Sequence, residues 1–344
     1  MNRKVRWGIL GTAAIAVNKV IPAMQQGDWC EVLAIASRDI DRSRQVAQRL
    51  GIPRAYGSYE ELLADDEIEA IYNPLPNHLH VPWTIQAAEA QKHVLCEKPI
   101  GLNMEEATQL LVVRDRTGMK IQEAFMVRSH PQWIATLELI KSGRIGELRF
   151  INGFFSYFNQ DPANIRNKVE IGGGAIMDIG CYPITIARFI FRDEPLRVFG
   201  LIERDPQLGI DRLASAILEF PAGQASFTCS TQLVPYQRTQ LCGTLGRIEV
   251  EIPFNAPPDK PTRLFIHDGV DLAGSNPEVK EFPICNQYTI QGDLFSRAIL
   301  ENSMQTIPLE DSVKNMAVID AIFRSSSSAR WEATPPFNRL SPQY

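Results

Sequence analysis

The chain is predicted to be an α/β protein, with a parallel, doubly wound sheet followed by an α/β unit built on a large, mostly antiparallel open sheet. Three observations predict it. Strand and helix patterns alternate through residues 1–124, the grammar of parallel strands joined by helical crossovers. A glycine turn, Gly8-Ile9-Leu10-Gly11, separates the first strand pattern from the first helix. Beyond residue 125 strand-like runs follow one another without intervening helices, which implies antiparallel pairing. A length of 344 residues exceeds what one simple core holds, and the predicted units are 1–124 and 125–344.

In the first unit, strands are expected at 5–10, 31–36, 68–72 and 94–96, with residues 120–124 closing the series. Helices are expected at 15–26, 40–50 and 81–90. Ser58 with Glu61, and Asn103 with Glu106, are capping boxes that start two more. Ala107, Leu110 and Leu111 then recur at helical spacing, and Arg114 ends the apolar face. The second unit begins with a helix at 132–141 and a strand at 149–158, and a glycine-led helix spans 174–191. Strands follow at 198–203, 213–220, 224–231, 237–242, 247–251 and 263–267. Pro221-Ala222-Gly223 and Gly243-Thr244-Leu245-Gly246 mark turns between them. Helices at 286–301 and 309–327 complete the fold, and the tail to Tyr344 is aperiodic.

Composition removes several function classes. A net charge of −5 argues against a nucleic-acid footprint, which needs clustered basic residues. No apolar run reaches the roughly 18 residues of a membrane span, and residues 1–6 lead into a strand without a signal-peptide apolar region. The six cysteines are scattered with no Cys-x-x-Cys pair, which suits reduced thiols and a cytoplasmic location. Five histidines, with His78-x-His80 lacking a further ligand, make a metal site unexpected.

Aligned on Gly11, the turn reads Gly11-Thr12-Ala13-Ala14-Ile15-Ala16, a Gly-x-Ala-x-x-Ala variant of the dinucleotide fingerprint that opens a Rossmann βαβ unit. The glycine allows a tight turn and the helix N-terminus receives a pyrophosphate. Gly11, Thr12, Ala13, Ala14 and Ile15 are therefore the candidate cradle. The second strand ends Ala36-Ser37-Arg38-Asp39, with Arg42 one turn on. An acidic side chain there suits NAD, whereas arginine accommodates a 2′-phosphate. Ser37, Arg38 and Arg42 thus favour NADP over NAD. The stiff loop Asn73-Pro74-Leu75-Pro76-Asn77-His78-Leu79-His80 follows the next strand. Pro74, Leu75, Asn77 and His80 are its expected cofactor wall.

Glu97-Lys98-Pro99 ends the apolar run His93-Val94-Leu95-Cys96. Ligands bind such sheets beyond the carboxyl ends of the strands, so Glu97 and Lys98 are expected beside the cofactor. Far along the chain, Gly172-Gly173-Gly174 precedes Asp178 and Tyr182, which share a helix face at a spacing of four. Together with Asn164-Ile165-Arg166, Glu123-Ala124-Phe125-Met126 and Arg128-x-His130-Pro131-Gln132, these motifs resemble the family of glucose–fructose oxidoreductase, inositol dehydrogenase and the rhizopine catabolism protein over nearly the whole chain. The resemblance implies a Rossmann domain followed by an α/β domain whose open sheet packs against a partner, hence a homodimer or homotetramer. It also implies a cis Lys98–Pro99 bond, a catalytic role for Lys98, and an active-site pair Asp178–Tyr182. Within that family the pattern looks like NADP-dependent sugar dehydrogenases, with dihydrodiol dehydrogenase and anhydrofructose reductase beside them. Inositol dehydrogenases carry histidine at the position of Tyr182, and sugar-specific members often carry tyrosine where this chain has Val127.

The chemistry read from these residues is hydride transfer to or from a carbohydrate or polyol. Tyr182 is the expected acid/base. Lys98 would lower its pKa through a nearby positive charge, and Asp178 would orient the site. Arg128, His130, Arg166 and Tyr288 are the further candidates for substrate contact, with Arg166 also near the cofactor. Their alternatives are helix capping for Arg128 and His130 and core packing for Tyr288. A pyranose 1-dehydrogenase of the xylose or glucose type is the leading expectation. A keto-sugar reductase, a dihydrodiol dehydrogenase or a non-catalytic NADP-binding regulator is the alternative. A regulator would be expected to lose Lys98, Asp178 or Tyr182, and all three are present.

Overall fold

The computed structural model describes residues 3–335; the first two residues and the aperiodic tail from Pro336 lie outside them. Its first sheet contains β1 (Val5–Leu10), β2 (Cys30–Ala36), β3 (Arg54–Tyr56), β4 (Ala70–Asn73), β5 (His93–Cys96) and β6 (Ile121–Glu123). The strands are all parallel, in the order β3-β2-β1-β4-β5-β6. Strand order reverses between β1 and β4, and that switch point is where such a sheet opens a crevice. Helices α1 (Ile21–Gln25), α2 (Ile40–Leu50), α3 (Tyr59–Leu63), α4 (His80–Glu89) and α5 (Met104–Thr117) connect the strands. Ser58 and Asn103 cap α3 and α5 by accepting from the amides of Glu61 and Glu106, as the capping boxes predict.

The helix expected over 15–26 begins instead with a π turn, Ala16–Val20. Ile21 N donates to Ala16 O, five residues back. Pro22 has no N–H for a regular ladder, and the wider turn absorbs the missing bond. The glycine-led helix behaves alike: a π turn, Ile176–Gly180, precedes α7 (Cys181–Phe191), which contains Pro183. Before it, α6 (Pro131–Lys141) follows the first sheet.

The second sheet has β7 (Leu148–Phe158), β8 (Arg197–Arg204), β9 (Asp211–Phe220), β10 (Gly223–Ser230), β11 (Gln232–Gly243), β12 (Arg247–Val250), β13 (Thr262–His267), β14 (Glu278–Phe282) and β15 (Glu332–Ala333). Their order is β14-β13-β12-β11-β7-β10-β9-β8-β15. Pairing is antiparallel except between β7 and β10. Strands β3, β14 and β15 are absent from the sequence reading. They are short edge strands with little apolar alternation to announce them.

On β7, residues Ile151, Phe155 and Tyr157 share one face, and Phe155 packs 5.8 Å from the Tyr182 ring of α7. The stretch Val169–Phe191 is long and apolar enough to cross a membrane, yet 89% of its most apolar window is buried, as befits a core helix. Helix α8 (Gln287–Leu300) returns to the first sheet. There Trp7 Nε1 donates to Ser296 Oγ at 3.1 Å, and the Trp7 and Phe295 rings lie 5.8 Å apart. The long α9 (Leu309–Ser328) packs against α5 and β8.

Candidate active site

A cavity of about 720 Å³ runs along the carboxyl ends of the first sheet and closes against the second. Gly11, Thr12, Ala13, Ala14 and Ile15 line its start. Gly11 has φ +82°, and a Cβ there would lie 3.0 Å from Leu75, so the turn requires glycine. That open backbone cradle, facing a helix start, fits a pyrophosphate.

Ser37, Arg38 and Arg42 line the neighbouring end, with Lys19 and Tyr59, two residues the sequence reading missed. Lys19 sits one turn into the helix that follows the fingerprint, a position from which it was recoverable. Asp39 does not line the cavity; its Oδ1 accepts from the amides of Asp41 and Arg42 to cap α2. What faces the cavity here is therefore cationic, and this fits a 2′-phosphate.

Pro74, Leu75 and Asn77 form the next wall. Asn73 shapes the loop by donating to His80 O at 3.1 Å and Thr84 Oγ1 at 3.2 Å. Asn77 Nδ2 donates to Gly172 O at 2.7 Å, tying the loop to the glycine segment. At Gly172, φ is +82° and a Cβ would lie 2.4 Å from Leu102, so glycine permits the close approach expected of this segment. His80 also lines this wall. Only 1% exposed, it sits with its ring nitrogens 2.7 Å from Pro99 O and 2.6 Å from Leu75 O. It lines the cavity as expected, but its ring joins two loops there, and burial pulls its pKa down to about 4.

At the inner end, the Lys98–Pro99 bond is cis. Glu97 Oε1 accepts from the Tyr72 hydroxyl at 2.6 Å, and burial raises the Glu97 pKa. Lys98 Nζ donates to Asp178 O at 2.6 Å and Asp178 Oδ1 at 3.2 Å. Asp178 Oδ2 accepts from Arg166 Nε at 2.9 Å and from the Tyr157 hydroxyl at 2.5 Å. Burial by itself pushes the Asp178 carboxyl up, but Lys98, Arg166 and Tyr157 outweigh it and hold the group well below the usual carboxylate range. Burial pulls Lys98 down, and the facing carboxylate more than restores it. Lys98 is thus an ammonium and Asp178 a carboxylate.

The predicted trio comes together, but not in the predicted relation. Lys98 Nζ stands over the face of the Tyr182 ring, 5.1 Å from its centroid. The Tyr182 hydroxyl instead lies 3.7 Å from Met126 Sδ, and burial pushes its pKa well above the ordinary phenol value. Burial thus favours the neutral phenol, and Lys98 faces the Tyr182 ring rather than its hydroxyl. Tyr288, at the start of α8, also lines the cavity.

Arg128 and His130 do not reach it. Arg128 Nη1 donates to Asp311 Oδ2 at 2.7 Å, and its guanidinium lies 4.5 Å from the Phe189 ring centroid. His130 is 1% exposed and accepts from Gln132 N at 3.2 Å, capping α6. In place of the expected substrate contacts, Arg128 makes an ion pair and His130 caps a helix. Tyr157 from β7 takes a place in the cavity and donates to Asp178. Among the described residues no group of His, Cys, Asp and Glu is placed to hold a metal.

Comparison with known proteins places this architecture. Residues 5–125 match the oxidoreductase family with an NAD-binding Rossmann fold, and residues 133–249 match the GFO/IDH/MocA C-terminal domain. An uncharacterised oxidoreductase of Rhizobium meliloti is 52% identical, covering 95% of this chain and 98% of that protein. A D-xylose 1-dehydrogenase (NADP(+)) of Haloferax volcanii is 38% identical over 94% of this chain and 97% of its own length. A 3-ketoreductase from Actinomadura kijaniata, crystallised with NADP and TDP-benzene, superposes with a TM-score of 0.88 at 28% identity, covering 94% and 98% of the two chains. Matched along both sheets, this chain belongs to the GFO/IDH/MocA oxidoreductase family.

Proposed function

We propose that the protein is an NADP-dependent pyranose dehydrogenase, moving a hydride between nicotinamide and C1 of an aldose of the xylose or glucose type. The observation that carries this reading is the continuity of one cavity from the Ser37–Arg38–Arg42 end to the Lys98–Asp178–Tyr182 end. Residues 1–124 would hold the cofactor and the rest would present the sugar. Bound NADP supplies the acceptor or donor of the hydride. Arg38 and Arg42 answer the 2′-phosphate, and Gly11 to Ile15 answer the pyrophosphate. In the reducing direction Tyr182 O–H donates its proton to the substrate oxygen, while the Lys98 ammonium stabilises negative charge developing there. Asp178 fixes Lys98, Arg166 and Tyr157 around the substrate. Because the site holds its protons on Lys98 and Tyr182, with both pKa values raised, oxidation is expected to accelerate as pH rises from 7 toward 10. A pH–rate series in both directions checks this, and oxidation that slows across the range speaks against it.

A second reading, reduction of a keto-sugar carried on a longer molecule, has one observation in its favour. A further open cavity of about 900 Å³ adjoins the site through Phe155, Tyr157 and Asn255, with room for an appended group such as a nucleoside diphosphate. The deciding assay follows absorbance of the reduced cofactor with aldoses, inositols and diols, and with keto-sugars in reverse. The wild type should turn over xylose or glucose with NADP⁺ in strong preference to NAD⁺. Arg38→Asp should weaken NADP⁺ binding about tenfold or more through loss of a charge-assisted phosphate contact. Equal use of both cofactors by the two forms overturns the cofactor assignment, and turnover of keto-sugars alone transfers the case to the second reading.

A further inference from the structure

We propose that Asp211 is a positioning residue for this reaction: its carboxylate, projecting from the first residue of β9, holds the start of the helical segment that carries Asp178 and Tyr182. The inference rests on the proposed role of that pair and extends it to a residue 29 positions further along the chain than Tyr182. Asp211 is 2% exposed, and its Oδ2 accepts from Ile176 N at 2.6 Å. The third glycine of the motif makes room for it. Gly174 has φ +118°, and a Cβ there would lie 1.8 Å from Asp211 Oδ1. Any other residue at 174 would expel the carboxylate.

The fastening point has chemical consequences on both sides. Gly174 N donates to Arg166 O at 2.9 Å, and Asp178 N donates to Gly174 O at 3.1 Å. Asp211 therefore anchors the turn between Arg166 and Asp178, whose side chains meet at 2.9 Å. The first amides of a helix lack partners within it, and a negative charge there is favoured by the helix dipole. An acceptor supplied from another strand satisfies both needs without occupying the cavity.

Holding this carboxylate ionised is costly. Burial raises the Asp211 pKa from the ordinary 3.8 to about 6, against the amides of Ile176, Asp211 and Ala175 and the charge of Arg204. The charged or titratable groups facing it are Arg204 from β8 and the Cys229 thiol from β10. For a carboxyl whose folded pKa is raised, the stabilising contribution is full below the unfolded value of 3.8 and is lost as pH rises through about 6. Protonating Asp211 thus relieves the fold while removing the charged anchor from the catalytic helix. Activity and stability should separate: kcat falls as pH drops through about 6, and the melting temperature does not fall on account of this group.

The test pairs Asp211→Asn with the wild type, both loaded with NADPH and followed in the reducing direction, where Lys98 and Tyr182 stay protonated over the whole range. Wild-type kcat is expected to drop several-fold between pH 7.5 and 5.5. Asp211→Asn should show a flat profile over that range, about tenfold below wild type at pH 7.5 through a small displacement of the site, with cofactor affinity and melting temperature not reduced. Hydrogen exchange of the peptide covering 174–182 supplies a readout that needs no substrate. After correction for intrinsic rates it should be faster in the variant at pH 7.5, and faster in the wild type at pH 5.5 than at 7.5. Identical exchange in both proteins at both pH values overturns the proposal, even if no sugar is turned over. An unchanged acid limb in Asp211→Asn overturns it as well.

Discussion

Lys98→Met is expected to lower turnover by about a hundred- to a thousand-fold, the range for losing one charge that stabilises the transition state. The substitution removes the ammonium that contacts Asp178 Oδ1 and the face of Tyr182, while keeping an unbranched side chain of similar length. Tyr182 would retain its hydroxyl, but no positive charge would stabilise the substrate oxygen as the hydride moves. Asp178 keeps Arg166 and Tyr157 as partners, so the fold survives to be assayed. Single-turnover measurement of the hydride step, with cofactor binding followed separately by fluorescence, isolates the effect. Binding is expected to remain near wild type. A variant that keeps a tenth or more of normal turnover would assign Lys98 to cofactor placement instead.

Asp178→Asn carries the second large effect, through a different cause. The carboxylate is 12% exposed and receives Lys98, Arg166 and Tyr157. A neutral amide leaves two cations facing each other without a counter-charge. Breaking a buried pair typically costs about 3–5 kcal/mol, and the lower end applies here because Arg166 is 40% exposed and partly solvated. The Asp178 pKa is depressed, so its contribution is present above its ordinary value of 3.8 and is lost as pH falls through its lower folded value. The gap in melting temperature between wild type and variant should persist from pH 8 to about 4 and shrink below that. Turnover should fall with it, because Lys98 and Arg166 lose their common anchor. Equal melting curves at neutral pH would show that the ion cluster contributes nothing to the fold.

Much of this site was legible because its parts are local. Gly11 opens a strand–helix turn, Lys98 ends a strand and Asp178 and Tyr182 lie on one helical segment, and each statement needs only a few neighbouring residues. Ser58 and Asn103 marked their helices for the same reason. The rest depended on partners remote in sequence. Arg128 resembles a pocket residue until Asp311, 183 positions away, takes its guanidinium. His80 falls in a cofactor loop, but the carbonyl oxygen of Pro99 decides what its ring does. On β7, Phe155 and Tyr157 share one face, but alternation alone does not say which face meets α7. That choice is made by the whole sheet, and it delivers the Tyr157 hydroxyl to Asp178. Spacing along the chain likewise does not say whether Lys98 meets the ring face of Tyr182 or its hydroxyl, and here it meets the face.

The central claim is hydride transfer between C1 of a pyranose and NADP, and isotopic labelling tests it most directly. D-xylose and D-glucose carrying deuterium at C1 would be oxidised with NADP⁺ and the reduced cofactor recovered for mass analysis. The account predicts one deuterium per NADPH and a slower single-turnover hydride step than with unlabelled sugar. Unlabelled NADPH formed from the C1-labelled sugars would contradict it.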